Sequence, residues 1–198
     1  MGTLTRFWTT WKHGRKLATK GEHFRCAISH LTIEGHVEVG AHCRFRQNAT
    51  LRTFGNGKII FGNRTGCSWH TYLEAHELIR VGNYAGLAEH VVLCDTVYHF
   101  GETDGSWREV RKTTAPIIVC DNTFIGNGCY VGPGVTIGEG AVVAHHSIIT
   151  RDIPPYEIWG GAPAMRIAHR TEGVPEAVLE EFRQRAALLG IQKDRYFP

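Results

Sequence analysis

The chain has 198 residues, with 22 basic and 19 acidic side chains and a formal net charge of +3. That length suits one domain with end pieces, and so small a charge surplus gives no case for a nucleic-acid-binding protein. No apolar run approaches the roughly 20 residues that span a bilayer, and no cleavable signal segment is expected.

Residues 1–28 read as a basic and aromatic N-terminal segment. Arg6, Lys12, Arg15, Lys16, Lys20 and Arg25 stand against one acid, Glu22. Leu4, Phe7, Trp8 and Trp11 fall at helical spacing, which would give one aromatic face and a basic remainder. Such a segment can lie on an anionic membrane surface. It can equally cap the first rung of a repeat array, whose end must be covered.

From residue 29 to 168 the chain follows a six-residue period. Ile33, Val39, Phe45 and Leu51 form one run, Phe61, Cys67, Leu73 and Ile79 a second, and Val81, Leu87 and Leu93 a third. Phe54-Gly-Asn-Gly57, with turn chemistry, lies in the gap after Leu51. A two-residue slip separates Ile79 from Val81. The largest break is an inserted loop at 95–115. It opens with Asp95-Thr-Val-Tyr-His-Phe100 and continues as a polar stretch from Gly101 to Thr114. A loop that long within a regular array is usually functional or disordered.

The period is cleanest from Val119 to Ile153. Val119, Ile125, Val131, Ile137, Val143 and Ile149 recur at every sixth position, and Thr123, Cys129, Val135, Ala141, Ser147 and Ile153 follow each by four. Six fits neither the helical period of about 3.6 nor the strand period of 2. It is the period of an all-β solenoid in which short strands meet at sharp corners. Apolar residues point into a narrow core, and each rung is stable only when stacked on others. Pro175 to Leu189 then reads as a helix within a C-terminal extension at 169–198, with Pro175 at its first position and Gly190 at its stop.

Six cysteines occur, none in a Cys-x-x-Cys pair, and Cys43, Cys67 and Cys129 fall on inward positions. They read as small core residues with reduced thiols, which points to the cytoplasm. Membrane contact through the N-terminal segment would place the protein at the inner face of the membrane.

The segment Val131-Gly-Pro-Gly-Val-Thr-Ile-Gly-Glu-Gly-Ala-Val-Val143, with Thr150-Arg-Asp-Ile-Pro-Pro155 and Gly161-Ala-Pro-Ala164, strongly resembles the hexapeptide-repeat acyltransferases. Within them it is most similar to the sugar and polysaccharide O-acetyltransferases, a group that includes the galactoside, maltose, nodulation-factor and colanic-acid enzymes. The resemblance is strong over residues 80–170, weaker over 30–80 and absent at both ends. Ala162 stands where the family usually has Asn, and Met165 where it usually has a basic residue. The resemblance implies a left-handed parallel β-helix, a homotrimer with active sites between subunits, acetyl-CoA as donor, and a sugar or glycan acceptor in cell-surface polysaccharide or glycoconjugate biosynthesis; no metal is expected.

Acyl transfer to a hydroxyl needs a base, and an imidazole with an ordinary pKa of about 6.5 suits that work. Asp95-Thr-Val-Tyr-His99 resembles the family segment that supplies it, with Val97 replacing a second acid. The resemblance implies His99 as general base. Asp95 has three open roles: orienting His99, binding the acceptor, or capping the turn that opens the loop. Asn83 matches a residue that meets the acceptor, or else occupies a corner after Gly82. Trp107 in the loop could stack on a sugar ring, or pack on a neighbouring subunit. For CoA, the resemblance implies contacts from Asn127, His145, Thr150, Arg151 and Pro163, with Arg166 or Arg170 supplying the charge Met165 lacks. A backbone N–H at Asn127 would face the thioester.

Three other functions fit a solenoid of this kind. One is N-acetylation of an amino sugar, free or nucleotide-linked. Another is a zinc enzyme of the γ-carbonic-anhydrase type, for which His70, His76, His90 and His99 are candidates without the required spacing. The third is a scaffold without catalysis.

Overall fold

The computed structural model describes residues 16–26, 30–100, 110–173, 175–177, 180 and 184. The chain winds as a prism with three parallel faces. The first face pairs Thr19–Lys20, His36–Val39, Lys58–Phe61, Leu78–Val81, Ile117–Val119 and Thr136–Ile137 in that order. The second runs from Arg25–Cys26 to Val142–Val143 and the third from Thr32–Glu34 to Ile148–Ile149.

Consecutive hexads fall on consecutive faces. Val119 and Ile137 pair on the first, Ile125 and Val143 on the second, and Val131 and Ile149 on the third. All six are buried, as are the residues four positions after each. Three hexads therefore close one coil of 18 residues. Two inward residues are polar, and both are satisfied through their hydroxyls. Thr123 donates to the Cys120 carbonyl at 3.1 Å and Ser147 to the Ala144 carbonyl at 2.7 Å.

Upstream the pitch is the same but the coils are longer. On the first face, Val39 pairs with Phe61, Phe61 with Val81, Val81 with Val119 and Val119 with Ile137, steps of 22, 20, 38 and 18 residues. The surplus over 18 enters where the third face turns into the first. The slip between Ile79 and Val81 is no irregularity of the solenoid. Both residues lie on the strand Leu78–Val81 and both are buried, because alternate residues of a strand share a face.

The other two corners are held tightly. Gly40, Gly62 and Gly82 stack at the turn from the first face to the second. A Cβ on Gly40 would lie 2.5 Å from the Gly62 carbonyl oxygen, and one on Gly82 would lie 2.5 Å from Asp121 Oδ1. Beside them runs a ladder of side-chain caps. The backbone N–H of Ala41 donates to Asn63 Oδ1, that of Asn63 to Asn83 Oδ1, and that of Asn83 to Asp121 Oδ1, each at 2.8 Å.

These corners also explain the abundance of histidine. His23, His30, His42, His70, His90 and His146, half of the 12 histidines, have φ between 53° and 64°. That left-handed region admits few side chains other than Gly, Asn, Asp and His. His23 stacks on His42 with ring centroids 4.7 Å apart, and His70 stacks on His90 at 4.9 Å.

The first rung begins at Thr19, inside the segment read as a separate N-terminal piece. Thr19 and Lys20 pair with Glu38 and Val39. Leu17 packs on the core, and the Phe24 ring lies 5.6 Å from that of Phe45. The aromatic stretch Leu4 to Trp11 lies outside the described residues. Of the expected C-terminal helix, Pro175, Glu176, Ala177, Glu180 and Gln184 are described; the last four are helical, and Pro175 lies just before them rather than in the first helical position. Gln184 Nε2 donates to Glu180 Oε1 one turn back at 3.3 Å. No helix among the described residues is long and apolar enough to cross a membrane.

Two hairpins depart from the solenoid. The inserted loop begins as an arm in which Thr96–Tyr98 pairs antiparallel with Lys112–Thr114. At the C-terminal end, Glu157–Gly161 extends the second face and Ala164–His169 folds back on it, through a turn with a cis Ala162–Pro163 peptide.

Candidate active site

The arm sets the position of His99. Its backbone N–H donates to the Arg111 carbonyl at 3.0 Å, and its Nε2 lies 2.8 Å from Thr113 Oγ1. The hydroxyl both donates and accepts, so it can serve either tautomer of the ring. Thr113 went unnoticed in the sequence because only the antiparallel register of the arm brings it to His99. Tyr98 and Phe100 stack at 6.0 Å on the exposed side of the arm, with Lys112 Nζ 5.0 Å from the Tyr98 ring.

Asp95 sits at the base of the arm and is fully buried. Its Oδ1 accepts from the backbone N–H of His76 at 2.8 Å, and its Oδ2 from those of Glu77 and Leu78 at 2.8 and 2.9 Å. The Thr96 hydroxyl adds a fourth bond at 3.2 Å. None of these contacts reaches His99. Of the roles left open for Asp95, the geometry supports the turn cap: the carboxylate holds the corner of the preceding coil and with it the root of the arm. A further tie joins Thr114 Oγ1 to Glu77 Oε2 at 2.9 Å.

Asn83 belongs to the corner ladder. Its Oδ1 caps Asn63, and its Nδ2 donates to Asp121 Oδ2 at 3.0 Å. Both ends of the amide thus take part in the corner, which is the role this geometry supports. Asn83→Ala is expected to cost about 1–2 kcal/mol through the orphaned Asn63 N–H and Asp121 carboxylate. That corresponds to a Tm lowered by about 2–8 °C. Thermal unfolding followed by circular dichroism would measure it. A loss of activity with an unchanged Tm would return Asn83 to the substrate site. Trp107 lies outside the described residues.

The residues expected to meet CoA lie along the late coils. A column of small residues, Ala88, Gly126, Ala144 and Gly160, follows the strands of the second face. Its register is fixed by the bonds from Ala88 N–H to Ile125, Gly126 N–H to Val143 and Ala144 N–H to Trp159, at 2.8–3.0 Å. A Cβ on Gly126 would lie 2.8 Å from the Val143 carbonyl oxygen. Asn127 and His145 border this column at the next corner. There the Asn127 N–H donates to His145 Nδ1 at 2.8 Å. The donor expected to face a thioester is therefore capped by the exposed imidazole of the same chain.

The cations at the end of the column differ in availability. Arg166 donates to Glu157 Oε1 at 3.1 Å and to Glu172 Oε2 at 3.2 Å, and Arg170 donates to the Gly140 carbonyl at 2.9 Å. Arg151 has no acidic partner among the described residues. Its guanidinium lies 5.6 Å from the Trp159 ring and 2.6 Å from Met165 Sδ. Arg151 and Arg170 thus carry charges with no acidic partner among the described residues, whereas Arg166 is paired with two carboxylates. Thr150 and Pro163 are exposed beside it.

Burial pushes the thiols of Cys43, Cys67, Cys94, Cys120 and Cys129 up from their ordinary value, so none is a ready thiolate nucleophile. Among the described residues, no three His, Cys, Asp or Glu side chains converge as metal ligands. His70 and His90 stack at a corner, and His76 stacks on Phe54 at 4.7 Å.

Residues 116–151 match the family model described as bacterial transferase hexapeptide (six repeats). No curated protein sequence matches the chain. Among solved structures, the N-acyltransferase AntD of Bacillus cereus, in complex with dTDP and 3-hydroxybutyryl-CoA, superposes with a TM-score of 0.74 at 17% identity, over 91% of this chain and 95% of that one. A hexapeptide-repeat acetyltransferase of Vibrio cholerae with acetyl-CoA gives 0.53 at 18% identity, over 79% and 73%. A galactoside acetyltransferase in complex with coenzyme A gives 0.55 at 22% identity, over 79% and 67%. Residues 116–151 carry the bacterial transferase hexapeptide repeat, and the fold, shared with these solved structures, is a left-handed parallel β-helix.

Proposed function

We propose that the chain transfers an acetyl group from acetyl-CoA to a hydroxyl of a sugar, in the assembly of a cell-surface polysaccharide or glycoconjugate. The observation that carries this reading is the pairing of His99 with Thr113 on a projecting arm, whereas half of the chain's histidines serve as corner residues. Acetyl-CoA, when bound, supplies an activated thioester carbonyl. His99 removes the proton from the attacking hydroxyl, and Thr113 keeps the ring oriented. His145 would have to release the Asn127 N–H before that donor could face an oxyanion.

The donor site fits this chemistry. The Ala88–Gly126–Ala144–Gly160 column leaves room for a slender chain against the backbone, and Arg151 ends it with an uncompensated charge. Arg151→Ala is expected to raise the KM for acetyl-CoA about tenfold with little change in kcat, as loss of a charged hydrogen bond to a phosphate would. An unchanged KM would remove Arg151 from the donor site.

His99 and the column stand at different corners of the prism, and no contact among the described residues joins them. This separation supports a homotrimer in which the arm of one copy completes the site of the next. The free, buried thiols of Cys43, Cys67 and Cys129 suit a reducing compartment, which supports a cytoplasmic reaction.

The deciding experiment offers acetyl-CoA with a panel of free, nucleotide-linked and lipid-linked sugars and amino sugars, and follows CoA release and product mass. An O-acetyl ester is the expected product. N-acylation of an amino sugar is the second reading, favoured by the superposition of the N-acyltransferase AntD over 91% of the chain. An exclusive amide product would establish it in place of the first.

A further inference from the structure

Three arginines gather on the second face, and no acidic side chain stands among them. Arg44 and Arg46 flank the buried Phe45, so both project outward from their strand, and Arg64 occupies the corner one coil on. They wall a depression of about 400 Å³ with Gly66, Ser68 and Gly86 along its floor. The floor is low because a Cβ at Gly66 would run into the Arg44 carbonyl of the coil before.

Aromatic faces hold two of these guanidinium groups in place. Arg46 Cζ lies 4.7 Å from the Trp69 ring centroid and Arg64 Cζ 6.0 Å from that of Tyr84. Stacking fixes the plane of a guanidinium and leaves its N–H edge unused. None of the three makes a side-chain hydrogen bond or ion pair to a described residue. Other cations of the solenoid are matched, such as Arg52 with Glu34 at 2.7 Å and Arg166 with Glu157 at 3.1 Å. Three like charges drawn together in a concavity repel one another unless a counterion joins them, and one monoanion neutralises only a third of that charge.

We propose that this depression binds a diphosphate, and that the diphosphate is the link between the acceptor sugar and its carrier, a nucleoside or a lipid. An arginine fork matches two phosphate oxygens, and the four non-bridging oxygens of a diphosphate diester, each able to accept more than one hydrogen bond, can engage all three. The assignment to an acceptor rests on the acyl-transfer reading, whereas diphosphate binding itself does not.

Calorimetric titration with inorganic pyrophosphate tests the site. The double variant Arg44→Ala/Arg64→Ala is expected to weaken binding about 10- to 100-fold, the effect of losing charged hydrogen bonds to phosphate. Lys58→Ala, which removes an exposed charge from the first face, should leave binding unchanged, and thermal unfolding would show that each variant folds. Equal affinity in wild type and double variant would overturn the proposal, as would an equal loss in Lys58→Ala.

Two further titrations separate the carriers. Tighter binding of UDP than of pyrophosphate marks a nucleotide-linked sugar. Co-sedimentation with vesicles containing a polyprenyl diphosphate, abolished in the double variant, marks a lipid-linked one. Competition between CoA and pyrophosphate, lost in the double variant, would assign the depression to the donor and overturn the acceptor assignment. If no acceptor in the panel is acylated while pyrophosphate still binds through Arg44 and Arg64, the acyl-transfer reading fails and the diphosphate site stands.

Discussion

His99→Ala is expected to lower turnover by about 10²–10⁴-fold, the usual contribution of a positioned general base. The fold should survive, because the ring's one hydrogen bond among the described residues is to Thr113 and the arm is pinned by its own strand pairing. The KM for acetyl-CoA should also survive, because Arg151 and the small-residue column lie at another corner. Thr113→Val is the sharper companion. It keeps the shape of the side chain but removes the hydroxyl that orients the ring, so a smaller fall in kcat with an unchanged Tm is expected. Steady-state rates of CoA release for the two variants would check both results. Near-normal turnover in His99→Ala would remove the residue from the mechanism.

Asp95→Ala is expected to act through stability. Three backbone N–H groups, from His76, Glu77 and Leu78, donate to one buried carboxylate. Its removal leaves them without acceptors at a partly buried corner. The cost is about 3 kcal/mol or more, since each unsatisfied buried group carries its full desolvation penalty. For a chain of this size that corresponds to a Tm lower by about 6–12 °C. Asp95→Asn keeps one acceptor oxygen but places an N–H₂ where the other stood, facing donors, so it should recover only part of the loss. Thermal melts and activity at low temperature separate this account from a catalytic one. A variant with an unchanged Tm and a large drop in kcat would show Asp95 to be part of the chemistry.

The inward residues of the solenoid were legible in the sequence because burial imposes a strict period on them. Ile33, Phe45, Leu73 and Val119 to Ile149 all point to the core as their spacing predicts. The slip at Ile79 and Val81 misled because a longer strand and a broken repeat look alike without the partner strand. The site was less legible, since its geometry depends on groups distant in sequence. Nothing in the spacing shows that Asp95 reaches back to residues 76–78, that Arg166 meets Glu157 and Glu172, or that His145 covers the Asn127 N–H. The histidine count misled for a different reason. Composition registers a side chain but not the backbone angle that selected it, and at six positions the left-handed corner made that selection.

The unequal coils have a consequence for how such a chain can change length. Two edges of the prism are fastened by glycine stacking, imidazole stacking and amide caps, and from Val39 to Ile149 the inward residues on either side of them stay six apart. The third edge has absorbed surpluses of 2, 4 and 20 residues without shifting the register of any face. It acts as a seam where segments can be spliced in or out while the pitch continues unbroken. The arm that bears His99 is the longest segment in that seam. New acceptor-facing parts can therefore arise at this edge while the column of small residues and Arg151 keep their places.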